Sequence, residues 1–177
     1  YGPSKSLFKK LILKKPKLVI MVDCGSTSIE AIDYLNSKNI KSIIIDHHDI
    51  NHPYPKSTSL INPKKNCDYK KYDYLCSAFL TYSLIDLYVK KNNLKLNISD
   101  QLIYVAIATI ADVMPLREEN RFVIKDVIEN FEPRCRLVSV RAIPDYDRNA
   151  YNVSIEFYVV NAPTELVDLS VMLERLR

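Results

Sequence analysis

Two short apolar runs constrain this chain more than any other feature. Lys17 to Val22 (KLVIMV) and Lys41 to Ile45 (KSIII) are near-continuous rather than alternating. Runs of that kind suit strands of a parallel sheet buried on both faces. Each ends in a polar cluster: Asp23-Cys24-Gly25-Ser26-Thr27 after the first, Asp46-His47-His48 after the second. Between them Ser28 is placed to cap a helix reaching Lys38, with Ile29, Ile32 and Leu35 on one face. Gly25 can supply a positive φ in the strand-to-helix loop. This order predicts a β-α-β unit. Its acids and histidines fall at the carboxyl ends of the strands, where open α/β sheets keep their sites.

The flanking sequence fills in the architecture. Residues 1–15 are basic, with Leu7, Phe8, Leu11 and Ile12 at helical spacing after a Gly2-Pro3-Ser4 turn and cap, and Pro16 stops that helix. Thr58 to Ile61 predicts a short strand, and the Lys- and Tyr-rich stretch 64–74 a surface loop. Helices are expected over 75–91, with Phe79, Tyr82, Leu84, Leu87 and Tyr88 at helical spacing, over 101–111 with Ser99-Asp100 as cap, and over 118–131. The second is apolar nearly all round and is expected to be buried. Beyond it, 134–143 and 151–160 alternate apolar and polar residues, the pattern of an antiparallel hairpin. Residues 166–173 also alternate, as a third strand or a helix. The fold class expected is α/β: a partial doubly wound parallel sheet followed by a small antiparallel β tail.

Composition divides the chain. Residues 1–131 hold 17 Lys and 2 Arg against 14 acids, whereas 132–177 hold 6 Arg and no Lys against 7 acids. Isoleucine falls from 17 to 2 across the same point. Packing within one domain requires no such switch, so a seam between segments of different origin is expected at 131/132. No run is long enough to span a membrane. The four cysteines form no CxxC pair, which fits a reduced, cytoplasmic protein. The chain begins at Tyr1 without Met, as a segment of a longer chain would.

Asp23, the Asp46-His47-His48 cluster and Asp112 all lie at element ends. Carboxylate and imidazole together suit Mn2+ or a similar ion. Two such ions sharing a carboxylate would clamp a phosphodiester and activate water. Each residue alone has a plainer explanation. Asp23 can start a turn, Asp112 can cap a helix or satisfy a loop, and paired histidines occur on surfaces. Three such sites on one frame outweigh those separate explanations.

Five pieces then occur in order: Val22-Asp23-Cys24-Gly25-Ser26, Asp46-His47-His48, Asn62-Pro63, Ala108-Thr109-Ile110-Ala111-Asp112-Val113-Met114-Pro115-Leu116 and Glu119-Asn120-Arg121. With them the chain resembles the DHH phosphoesterase superfamily, and within it the RecJ family of single-strand-specific exonucleases. That resemblance implies Mn2+- or Mg2+-dependent 5′→3′ hydrolysis of single-stranded DNA. It implies Asp23, His47 and Asp112 as metal ligands, with His48 at the phosphate or leaving group and Asp46 supporting the pair. Asn120 and Arg121 would lie near substrate. An earlier Asp-x-Asp motif and a later substrate-binding domain, both usual in the family, are not in this sequence. The two-metal site is therefore expected to be incomplete and the chain weak or inactive.

The tail differs. Glu132-Pro133-Arg134, the alternating strands and Leu173-Glu174-Arg175-Leu176-Arg177 resemble the phage baseplate wedge family, shared with type VI secretion sheath initiators. That resemblance implies Glu132 and Arg134 as contacts to baseplate or sheath subunits. Two other readings stand beside the enzyme: a baseplate component acting through its tail, and a chimeric reading frame without function.

Overall fold

The computed structural model describes residues 2–145, 147–148 and 150–174. They form two compact units, divided between Ile98 and Ser99. This division does not fall at the compositional seam at 131/132.

The first unit opens with α1 (Lys5–Leu11). Ser4 caps it by accepting from the Leu7 N–H at 3.3 Å, and a 3-10 turn over Ile12–Lys14 follows. Then come β1 (Leu18–Val22), α2 (Ile29–Ser37), β2 (Lys41–Ile45), β3 (Ser59–Ile61) and α3 (Ser77–Lys91). The three strands are parallel in the order β1-β2-β3, with Val22 opposite Ile45 and Ile45 opposite Ile61. Their carboxyl ends are thus level. One face carries the core: Phe8 from α1 and Ala31, Ile32 and Leu35 from α2 pack on Val19, Met21 and Ile44. The helix α3 also contacts β1 and β2.

The second unit holds α4 (Leu102–Ala111), α5 (Glu118–Phe131) and the antiparallel strands β4 (Cys135–Asp145), β5 (Ala150–Val159) and β6 (Ala162–Glu174), in the order β4-β5-β6. The hairpin is as expected, and 166–173 is a strand rather than a helix. Ile110, Met114, Ile124, Val127, Val140 and Val153 line an apolar cavity of about 140 Å3 between the helix pair and the sheet. The tail strands therefore share a core with α4 and α5.

Several expectations are corrected. Ser28 sits at the N-cap of α2 but makes no side-chain cap bond; its carbonyl accepts from Ile32 N–H instead. Ser99 and Asp100 lie in a 3-10 turn, and α4 begins after Gln101 without a side-chain cap. Residues 64–74 are not plain loop but fall largely into 3-10 turns over Pro63–Lys65 and Cys67–Tyr72. On β1, Leu18, Ile20 and Val22 are exposed, because among the described residues only the α1/α2 face of this strand is fully covered. Leu84, Leu87 and Tyr88 of α3 and Tyr104 and Ile107 of α4 are likewise exposed. Spacing marks a face as apolar without saying what covers it.

Leu35 is fully buried and Leu13 is 80% exposed. Leu35→Ala is expected to lower unfolding free energy by about 2–5 kcal/mol, and Leu13→Ala by no more than about 0.5 kcal/mol. Urea denaturation measures both, and equal effects would show the core to be elsewhere.

Candidate functional site

The level strand ends put three polar residues in one row. Asp23, Asp46 and Asn62 each follow the aligned residues Val22, Ile45 and Ile61. The ladder runs one residue further on each side: Asp23 N–H donates to Ile45 O and Asp46 N–H to Ile61 O, both at 2.9 Å. Asp23 then turns out of the strand with φ 63°, a left-handed conformation that Asp tolerates better than most residues.

Asp46 is the most enclosed member, at 1% exposure. Its Oδ1 accepts from His47 N–H (2.8 Å), His48 N–H (3.3 Å) and His48 Nδ1 (2.7 Å), and its Oδ2 from Ser26 N–H (3.0 Å). Burial alone would raise its pKa. The hydrogen bonds from His48 and Ser26 outweigh burial and bring the carboxyl from an ordinary 3.8 down to about 2. A carboxylate only accepts, so His48 Nδ1 is the donor in this bond. The His48 side chain is half exposed.

Asn62 ties the third strand to the other two. Its amide donates to Ser26 Oγ at 2.8 Å and to His48 O at 3.0 Å, and its Oδ1 accepts from Lys64 N–H. Neither Ser26 nor Asn62 was expected to act at the site. Both lie within the motif pieces, but their roles depend on side-chain directions that spacing does not specify.

His47 Nε2 stands 3.2 Å from Asp23 Oδ1, and the His47 and His48 ring centroids are 4.7 Å apart. Asp23, His47 and His48 each offer a ligand atom within 4.8 Å of the others. Two ligands about 2.1 Å from one ion stand roughly 3.0–3.4 Å apart at octahedral or tetrahedral angles. The Asp23–His47 pair fits that spacing, and its mixed oxygen and nitrogen donors suit a divalent ion. Cys24 lies beside them, but burial first, then the charges of Asp46 and Asp23, raise its pKa.

The other expected residues belong to the second unit. Asp112 is exposed at the C-cap of α4, where its N–H donates to Ala108 O at 2.9 Å. Val113 follows at φ 54°, a costly conformation for a β-branched residue. Asn120, expected beside substrate, is fully buried and donates to Pro115 O at 3.0 Å, so its amide holds that loop. Arg121 is exposed. Arg134 and Glu132, expected to meet a partner, grip each other through two bonds of 2.6 and 2.9 Å.

The chain is similar to known proteins. A RecJ single-stranded-DNA-specific exonuclease from Haemophilus influenzae is 27% identical over 158 residues, which is 84% of this chain and 28% of the relative. One from Dickeya dadantii is 25% identical over 194 residues, covering 99% of this chain and 34% of the relative. That alignment takes in the tail. The crystal structure of RecJ in complex with Mn2+ from Thermus thermophilus superposes with a TM-score of 0.61 at 25% identity, over 71% of this chain and 18% of that one. The chain thus spans about a third or less of the length of these proteins. The model of the DHH family, N-terminal domain, aligns with residues 3–110, the stretch that contains the row Asp23, Asp46 and Asn62 and both histidines, and the chain belongs to that family.

Proposed function

We propose that the chain carries part of a metal-dependent phosphodiesterase site that hydrolyses single-stranded DNA in the RecJ manner, 5′→3′. The clustering of ligand atoms from Asp23, His47 and His48 within 4.8 Å is the observation that carries this reading. The relatives, named as single-strand-specific exonucleases, and a neighbour solved with Mn2+ support it. In this reading residues 1–131 are the DHH part and 132–177 a segment of separate origin.

Asp23 and His47 would hold Mn2+ or Mg2+, with Asp112 as the further ligand that the family resemblance adds. When bound, the ion supplies positive charge to the phosphodiester and lowers the pKa of an attacking water. His48, its Nδ1 held by Asp46, would in its protonated form use the Nε2 proton to hold the phosphate or to protonate the leaving oxygen. Asp46 is a positioning residue, because all its described contacts are to the two loops around it. The exposed Arg121 would meet a DNA phosphate. Asn120 would keep the 112–117 loop in shape. Among the described residues of the first unit only three ligand atoms cluster, fewer than two ions need, so the chain alone is weak or inactive.

The long open-edged strands of the tail favour a second reading, pairing with a baseplate or sheath subunit. Capture of such a subunit, lost on Arg134→Ala, would support it. Arg134 is committed to Glu132, which counts against it.

Calorimetry should detect Mn2+ binding that Asp23→Asn and His47→Ala each remove; binding unchanged in both variants would refute the site. Trimming of a 5′ single strand by the chain should be very slow or undetectable. Robust Mn2+-dependent trimming, abolished by Asp112→Ala, would overturn the claim of weakness.

The Asp46 shift gives a pH test. A carboxyl depressed from 3.8 to about 2 contributes stability that is present above pH 3.8 and lost as pH falls through 2. Asp46→Asn should cost about 2 kcal/mol at pH 7 by the linkage of pKa to stability. The gap between the two proteins should narrow as pH falls from 4 towards 2. Urea unfolding in chelator measures it, and a pH-independent gap would exclude the charged network as its source.

A further inference from the structure

Beside β3, within the first unit, lies a second cavity, of about 600 Å3. That volume is in the range of small-molecule sites. Leu60, Pro63, Leu75 and Leu80 form apolar walls, and Tyr69 and Tyr72 stand among the lining residues. Tyr69 is 55% exposed and Tyr72 36%, although both are large rings. The stretch 63–74 that carries them has four lysines against two acids. Lys65 lines the cavity, with its ammonium 5.6 Å from the centroid of the Tyr54 ring and its carbonyl accepting from Tyr54 Oη at 2.6 Å. Lys71 lies 5.0 Å over the Tyr72 ring. Exposed rings beside cations form the pattern that binds single strands, with the rings taking base faces and the lysines the backbone.

The cavity is joined to the candidate site. Asn62 lines it and also donates to Ser26 Oγ and to the carbonyl of His48. We propose that this cavity receives a nucleobase of the single strand, stacked on Tyr69 or Tyr72, while Lys65 and Lys71 meet the flanking phosphates. The proposal rests on the phosphodiesterase reading and adds to it a base subsite next to the histidine loop. The apolar walls suit a flat, weakly hydrated ring. A free phosphate would leave them uncovered.

The test uses the full chain and two labelled probes, oligothymidylate and an abasic oligonucleotide of equal length. Tyr69→Ala should weaken binding of the first on the order of tenfold and leave the second unchanged, while Tyr69→Phe retains binding. In the unaltered chain, a strand carrying 5-bromouracil should photo-crosslink to Tyr69 or Tyr72, as read by peptide mass spectrometry. That measurement needs no variant to fold. Equal losses for both probes, or crosslinks only elsewhere, overturn the subsite and leave the single-strand reading standing. Failure of the unaltered chain to bind either probe overturns both.

Discussion

The site depends on one buried carboxylate. Asp46 has almost no exposure, yet four hydrogen bonds converge on it from two loops. Without them, burial of the charge would cost several kcal/mol. With them, it locks the loop after β1 to the loop after β2 through Ser26. The same interactions fix the protonated nitrogen of His48 and hold its backbone, and that of His47, where the two rings meet at a tilt. Asp23 and His47 meet because the two loops are locked together, so the ligand pair is a product of the clamp beneath it.

The clamp needs level strands. Parallel pairing in the register Val22, Ile45, Ile61 brings the next residue of each strand into one row. A slip of one residue would turn the strand's side chains to the opposite face. The core on the α1/α2 face opposes such a slip, since Val19 and Met21 of β1, or Ile44 of β2, would leave it. Ordinary apolar packing thus sets the position of the polar chemistry.

The sequence shows this frame because continuous apolar runs, a helix of suitable length and acids at strand ends are local patterns. The antiparallel tail is legible for the same reason. Coverage is not local: nothing in the spacing of Leu84, Leu87 and Tyr88, or of Leu18, Ile20 and Val22, says that these side chains face solvent. Nor does the sequence show that Asn62 reaches two loops, that Asn120 turns inward, or that Tyr69 and Tyr72 border a cavity. The compositional break at 131/132 is plain in the sequence, but packing ignores it. The tail sheet shares an apolar layer with α4 and α5, so segments of any origin can serve one core if their faces match.

Asn62 has a consequence for redesign. One amide serves the wall of the cavity and the carbonyl behind His48, so that position cannot be optimised for a new ligand independently of the histidine loop. Engineering that starts at Leu80 or Ser83, the lining residues from α3, would alter what fits without touching the Asn62 bond to that loop. The two kinds of change are separable at α3 and linked at Asn62.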